Sequence, residues 1–205
     1  GFVFKDPLEY MDEIGMERFA AIVSDMDSDD AVDVLEELDD ATRKRLAPLL
    51  QADARKAIRL IRSYDEDEIG SQMTTNFVRI SQGISVKQAT RSLILQADKN
   101  DNINTIYVSD GERHYVGAID LKDLITAREY DDLEDIIVSS YPYVFAEEKI
   151  DECVDKIKEY AEDSIPVLDE ERRIVGVITA TDITELVDEE MGEDYAMLAG
   201  LTAEE

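Results

Sequence analysis

TIYVSDGERHYVGAIDLKDLI (residues 105–125) and SIPVLDEERRIVGVITATDIT (residues 164–184) align without a gap at an offset of 59 residues. Nine positions are identical, and several of the others exchange one apolar residue for another. Each copy reads as a strand (Ile106–Val108; Ile165–Leu168), a turn carrying Asp110 or Asp169, and a second strand (Val116–Ile119; Ile174–Ile178). A helix then opens at Asp123 or Asp182. The stretches FVRISQGISVKQATRSLI (77–94) and YVFAEEKIDECVDKIKEY (143–160), upstream of the two copies, also correspond. Each predicts a short strand, a polar turn and an amphipathic helix. A tandem copy at this period predicts two α/β units packed on each other.

Residues 1–64 have a different texture. SDDAVDVLEEL (28–38) offers Ser28 as a helix cap, acids in the first turn, and Ala31, Val34, Leu35 and Leu38 at helical spacing. DARKAIRLIRSY (53–64) places Ala54, Ala57, Ile58 and Ile61 on one face. Helices this short are marginal alone, so they are expected to bury their apolar faces on one another in a small superhelix. The fold class is therefore α+β: an all-α superhelical domain, a tandem βαββα-type pair and a C-terminal acidic helix.

The 205 residues allow one or two domains at about 100–200 residues each. A hydrophobic content of 44% and a mean hydropathy of -0.30 fit a globular chain. The net charge of -29 argues against nucleic acid, whose phosphates it would repel, and against anionic lipid. Cations, basic partners or solubility remain. Cys153 is a lone cysteine on the apolar face Ile150, Cys153, Val154, Ile157 and reads as a small buried hydrophobe. No apolar run reaches the roughly 20 residues that span a bilayer. The chain opens on Gly1-Phe2 and ends on Ala203-Glu204-Glu205, which reads as part of something longer.

DITELVDEEMGEDY (182–195) holds seven carboxylates and no basic residue. As a helix it aligns Asp182, Glu185, Glu189 and Glu193 in one stripe, beside Ile183, Leu186, Val187 and Met191. Like charges at this spacing disfavour a helix by a few tenths of a kcal/mol per pair. Either packing offsets that or a cation does. From the residues alone, a solvated face and a cation-binding face both remain open. No EF-hand spacing is present, and Mg²⁺ leans on one or two carboxylates per ion, which leaves little fixed spacing to detect.

The duplicated unit, closed in each copy by G-h-h-x-x-x-D with h apolar (Gly117 to Asp123; Gly176 to Asp182), resembles a CBS domain pair. The order of a helical acidic domain, the junction YDEDEIGSQMT (64–74), the pair and an acidic helix is similar to the cytosolic part of the MgtE magnesium channels. The resemblance covers essentially the whole chain. It implies domains at 1–64 (helical N domain), 65–135 (first CBS domain), 136–188 (second CBS domain) and 189–205 (start of a connecting helix toward a transmembrane domain). It implies Mg²⁺ shared by acids of the N domain (Asp29, Asp33), of the second CBS domain (Asp151, Asp182, Glu185) and of the connecting helix (Glu190, Glu193, Asp194). Those ions would hold the domains together and the pore shut. Lys149 and Ala161 stand where carboxylates are expected. The resemblance also implies a homodimer through the CBS domains, and a place on the cytoplasmic face of the plasma membrane.

CBS pairs often take adenine nucleotides such as ATP through Thr/Ser-x-x-Asp, with the acid on the ribose. The second copy carries it as Thr179-Ala180-Thr181-Asp182. The first has Asp120 in place of the hydroxyl residue, followed by Lys122 and Asp123. The lone His114 sits in the turn GERHY and is read as an exposed loop residue, and neither a Ser/His/Asp set nor a phosphate-binding glycine loop can be assembled. The chain reads as a Mg²⁺ sensor and not an enzyme. The alternatives are an adenine-nucleotide-sensing CBS module and a scaffold for a basic partner.

Overall fold

The structure, a computed structural model, describes residues 6–202, and all of their side chains except those of 190, 194, 195, 199, 201 and 202. The chain divides into two compact units, Gly1–Tyr64 and Asp65–Glu205.

The first unit is all helical: α1 (Pro7–Ile14), α2 (Met16–Asp25), α3 (Ser28–Glu36), α4 (Asp40–Leu46) and α5 (Ala52–Ile61). Aspartates and one glycine separate the helices. Asp6 Oδ1 accepts from Leu8 N at 3.0 Å to start α1, and Asp39 Oδ1 accepts from Thr42 N at 3.3 Å to start α4. Gly15, at φ 88, ends α1 and turns the chain into α2, a left-handed conformation that costs glycine least. Asp27, not Ser28, occupies the cap position of α3, and Ser28 is buried as its first residue. Phe19, Ala20, Val23, Leu46 and Ile61 form the fully buried centre.

The second unit holds two copies of one motif. In the first, β1 (Val78–Ser81), α6 (Val86–Ala97), β2 (Thr105–Ser109), β3 (Tyr115–Asp120) and α7 (Leu121–Thr126) follow in order. The second repeats this with β4 (Val144–Phe145), α8 (Ile150–Lys158), β5 (Ser164–Leu168), β6 (Ile174–Thr179) and α9 (Ala180–Thr202). Each sheet has its middle strand parallel to the first and antiparallel to the third, in the orders β1-β2-β3 and β4-β5-β6. The helical connections α6 and α8 are what a parallel neighbour requires.

The duplication reaches into the hairpins. Asp110 Oδ1 accepts from the backbone amides of Glu112 and His114, and Asp169 Oδ1 from those of Glu171 and Arg173. Arg113 and Arg172, 59 positions apart, both take a left-handed φ, 71 and 63. The two hairpins meet through a bridge between His114 and Arg173, so His114 is half-buried in a contact and not free in a loop.

Strand exchange joins the copies. Thr74, ahead of the first copy, pairs with Val177 of the second, with amide–carbonyl bonds of 2.9 Å in both directions. Val138, ahead of the second copy, pairs with Ala118 of the first. The motif glycines make room for these crossings. A Cβ on Gly117 would lie 2.6 Å from the Val138 carbonyl oxygen, and one on Gly176 2.6 Å from Met73 Sδ and 2.8 Å from the Thr74 carbonyl oxygen. Gly117→Ala and Gly176→Ala should each cost about 1–3 kcal/mol in denaturant unfolding, by overpacking against backbone. Gly111→Ala, with nothing within 4 Å of the added carbon, should be close to neutral.

Candidate functional site

The acidic stretch that opens at Asp182 is the long helix α9, which packs against α8. Its start is capped reciprocally. Thr179 Oγ1 donates to Asp182 Oδ2 at 2.8 Å, Thr179 N donates to the same oxygen at 3.1 Å, and Asp182 N donates to Thr179 Oγ1 at 3.4 Å. The Thr-x-x-Asp pair is thus a capping box. In the first copy Asp120 caps α7 in the same place, accepting from Lys122 N at 2.8 Å. Substitution of the hydroxyl residue there preserves the cap. Lys122 and Asp123 are exposed on the first turn of α7.

Between α8, α9 and the segment before β1 lies a cleft of ≈ 500 Å³. Its floor is Ile150, Val154 and Leu186, and its walls are Glu66, Asp67, Asp151, Glu152, Glu189 and Glu193, with Lys149 as the single cation among the lining residues. Backbone bonds clamp the segment to the second copy: Ile69 N to the Glu148 carbonyl, Gly70 N to the Ala146 carbonyl, and Ile150 N to the Asp67 carbonyl, at 2.8–2.9 Å. Carboxylate oxygens of Asp65, Asp67 and Glu68 come within 4.8 Å of one another. Lys149 Nζ lies 2.9 Å from Asp67 Oδ1. That hydrogen bond, helped by the Glu68 and Asp65 charges, raises the lysine pKa, so the ammonium stays charged. Nearby, the Glu170 carboxylate raises the pKa of Glu147, as expected where like charges crowd.

Of the acids singled out in the sequence, Asp151, Glu189 and Glu193 line this cleft together. Asp182 and Glu185 sit on the first two turns of α9 and are not among its lining residues. The side chains of Glu190 and Asp194 lie outside the described residues. In the helical unit, Asp29 groups with Asp27 and Asp30 within 4.8 Å, while Asp33 is exposed one turn further along α3. Sequence reading missed Asp27, Asp30 and the group Asp65, Asp67 and Glu68. Their signal was present in SDMDSDD and YDEDE, but as charge alone. Both groups offer oxygen donors only, which suits a hard divalent cation that keeps much of its water.

Cys153, on α8 beside the cleft, is buried and donates its S–H to Glu148 Oε2 at 2.6 Å. Burial, and then that carboxylate, push its pKa up to about 12.

A helical domain followed by a strand-exchanged pair of βαββα units defines a CBS-pair regulatory region with an N-terminal helical domain. Residues 5–67 match the family model of the MgtE intracellular N domain, and residues 66–130 and 133–189 match that of the CBS domain. The chain belongs to the MgtE family of magnesium channels and transporters. The magnesium transporter MgtE of Bacillus subtilis (strain 168) is 30% identical over 192 residues, 94% of this chain and 43% of the relative. The chain thus spans under half the length of that relative. A crystal structure of the soluble part of a magnesium transporter superposes with a TM-score of 0.83 at 30% identity, over 90% of this chain and 72% of that one. A crystal structure of the cytosolic domain of the Mg²⁺ channel MgtE in complex with ATP gives 0.80 at 29%, over 88% and 75%. No helix among the described residues is long and apolar enough to cross a membrane.

Cys153 should resist thiol reagents at pH 8 in the folded chain and react once guanidinium unfolds it. An unfolded thiol ionises near pH 8.5 (about) while the folded one holds its proton to about pH 12, so unfolding releases a proton above pH ~8.5. Stability should therefore fall as pH rises through that window, and Cys153→Ser should flatten the fall.

Proposed function

We propose that this chain is the cytosolic Mg²⁺-sensing region of an MgtE-type magnesium channel or transporter. Mg²⁺ bridges acids of the helical domain, the CBS pair and the connecting helix and favours a compact state that closes the pore of the protein's own transmembrane domain. The region is regulatory and catalyses nothing itself. It works at the cytoplasmic face of the plasma membrane. The observation that carries this reading is the acid-lined cleft at Asp151 and Glu193, in a chain whose relatives are magnesium transporters. The Asp27, Asp29 and Asp30 group in the helical unit supports it.

Electrostatics supplies the drive. Two carboxylates about 4 Å apart repel by about 4 kcal/mol at an effective dielectric near 20. Without divalent ions, such contacts between domains favour separation. An ion that binds the compact state alone shifts the population by its differential affinity. Lys149 already neutralises part of the cleft, so fewer or weaker ions are expected there than in a cleft of carboxylates only.

A second reading is favoured by the ATP complex of the relative: the CBS pair takes an adenine nucleotide through Thr179 and Asp182, with Lys122 and Asp123 on the first copy. The CBS pair also forms a homodimer. Exposed Ile94, Leu95 and Ile125 line an apolar cleft of ≈ 550 Å³ between α6 and α7, a face that suits a second copy.

Small-angle scattering should give a smaller radius of gyration in millimolar MgCl₂ than in NaCl of equal ionic strength. Asp151→Asn combined with Glu193→Gln should move the Mg²⁺ midpoint several-fold higher. An unchanged radius sinks the Mg²⁺ reading, and stabilisation by ATP without Mg²⁺-specific compaction would favour the second. Leu95→Asp with Ile125→Asp should shift sedimentation from dimer to monomer.

A further inference from the structure

The charge of this chain is not evenly spread. Residues 41–64 hold seven of its 21 basic residues and one acid, Asp53. Helices α4 and α5 of the helical unit carry them. Arg55, Arg59 and Arg62 recur at i, i+4 and i+7, so they form one stripe along α5 and its C-cap. Among the described residues, none of the three lies within 4.0 Å of a carboxylate in an ion pair, in a chain with 50 acids. Together with Arg43 they border a groove of ≈ 530 Å³ whose floor is Leu35, Leu50 and Ile58.

From this we infer that the groove of the helical unit is a docking site for an acidic amphipathic helix of a partner protein. Two features select that occupant. The guanidinium stripe matches carboxylates repeated every three to four residues, each able to make paired, charge-assisted hydrogen bonds. The apolar floor matches the leucines and methionines such a helix presents beside its acids. Inorganic phosphate would satisfy the arginines and leave the floor uncovered. A nucleic acid or anionic membrane would meet the arginines against a net charge of -29. The inference concerns the basic groove alone and does not depend on Mg²⁺ sensing.

The test uses the full chain and a fluorescent synthetic peptide of sequence ELEELLEELEELLEELE, an acidic helix with one leucine face whose sequence does not occur in this chain. Its anisotropy should rise on titration, and the affinity should weaken with salt. Arg59→Glu with Arg62→Glu should weaken binding about tenfold or more, the loss of about 1.4 kcal/mol or more. Both side chains are exposed, so the variant should keep its thermal unfolding profile. Lys87→Glu, on the CBS pair, should leave binding unchanged. Four results would overturn the inference: no binding up to millimolar protein, equal binding by the double variant, equal binding of a peptide with every acid changed to its amide, or complete displacement by inorganic phosphate at constant ionic strength.

Discussion

A three-stranded sheet with helices on one face has a second face that must also leave water. In this protein β2 and β5 are buried at all five of their positions, so both faces of each middle strand are covered. Helices α6 and α7 cover one face of the first sheet, over a core of Val78, Ile80, Leu93, Ile106, Ile119 and Leu124. The other face is covered by the second copy, through Tyr107, Ala118, Leu168, Ile174 and Val177 with a ring of aromatics around them. Phe77, Tyr107 and Tyr141 follow one another edge to face at about 6 Å. A buried face with polar atoms needs partners inside it. The Tyr107 hydroxyl meets Ser164 Oγ, and Tyr141 donates to the Ser164 carbonyl at 2.6 Å. Neither copy could be folded this way alone, and the exchange at Thr74 and Val138 ties them further.

That arrangement also builds the acidic cleft. Because the segment at 65–74 crosses to the second copy, it brings Glu66 and Asp67 beside α8 and α9, which contribute Asp151, Glu152, Glu189 and Glu193. Six carboxylates on an apolar floor are held there by backbone bonds, with Lys149 as their tethered counter-ion. Exposed ion pairs of this kind contribute little to stability, about 0–1 kcal/mol. The placement of charge matters more for what the cleft attracts. The arginine stripe on α5 gives the helical unit the opposite sign over a small area, and the two surfaces suit different partners.

Much of this was legible because local chemistry repeats. The gapless alignment of 105–125 with 164–184 located both hairpins, both turn acids and both motif glycines, while the helices open at Leu121 and Ala180, ahead of the expected Asp123 and Asp182. The apolar spacing of 28–38 and 53–64 located α3 and α5. Boundaries shifted by a few residues where caps competed, as when Asp27 displaced Ser28. The site was less legible. Thr179-x-x-Asp182 resembles a ribose acceptor, yet the same spacing closes a helix cap. A helix face of Asp182, Glu185, Glu189 and Glu193 could be drawn from periodicity, but only the latter two line the cleft. On α5 the apolar face follows from helical spacing, whereas the groove beside its arginines depends on Leu35 and Leu50 from other elements.

The sequence by itself determined the repeat, the fold class and the sign of the charge, because period, propensity and composition are local or additive quantities. Tertiary structure alone decided which acids are neighbours. Asp67 and Asp151 are far apart along the chain and line one cleft only because Ile69 and Gly70 bond to the turn that follows β4 in the second copy. Likewise, a lysine at 149 is a defect in an acidic pattern until its ammonium is found 2.9 Å from Asp67. Pairings of that kind depend on strand exchange between copies, which leaves no periodic trace in one chain.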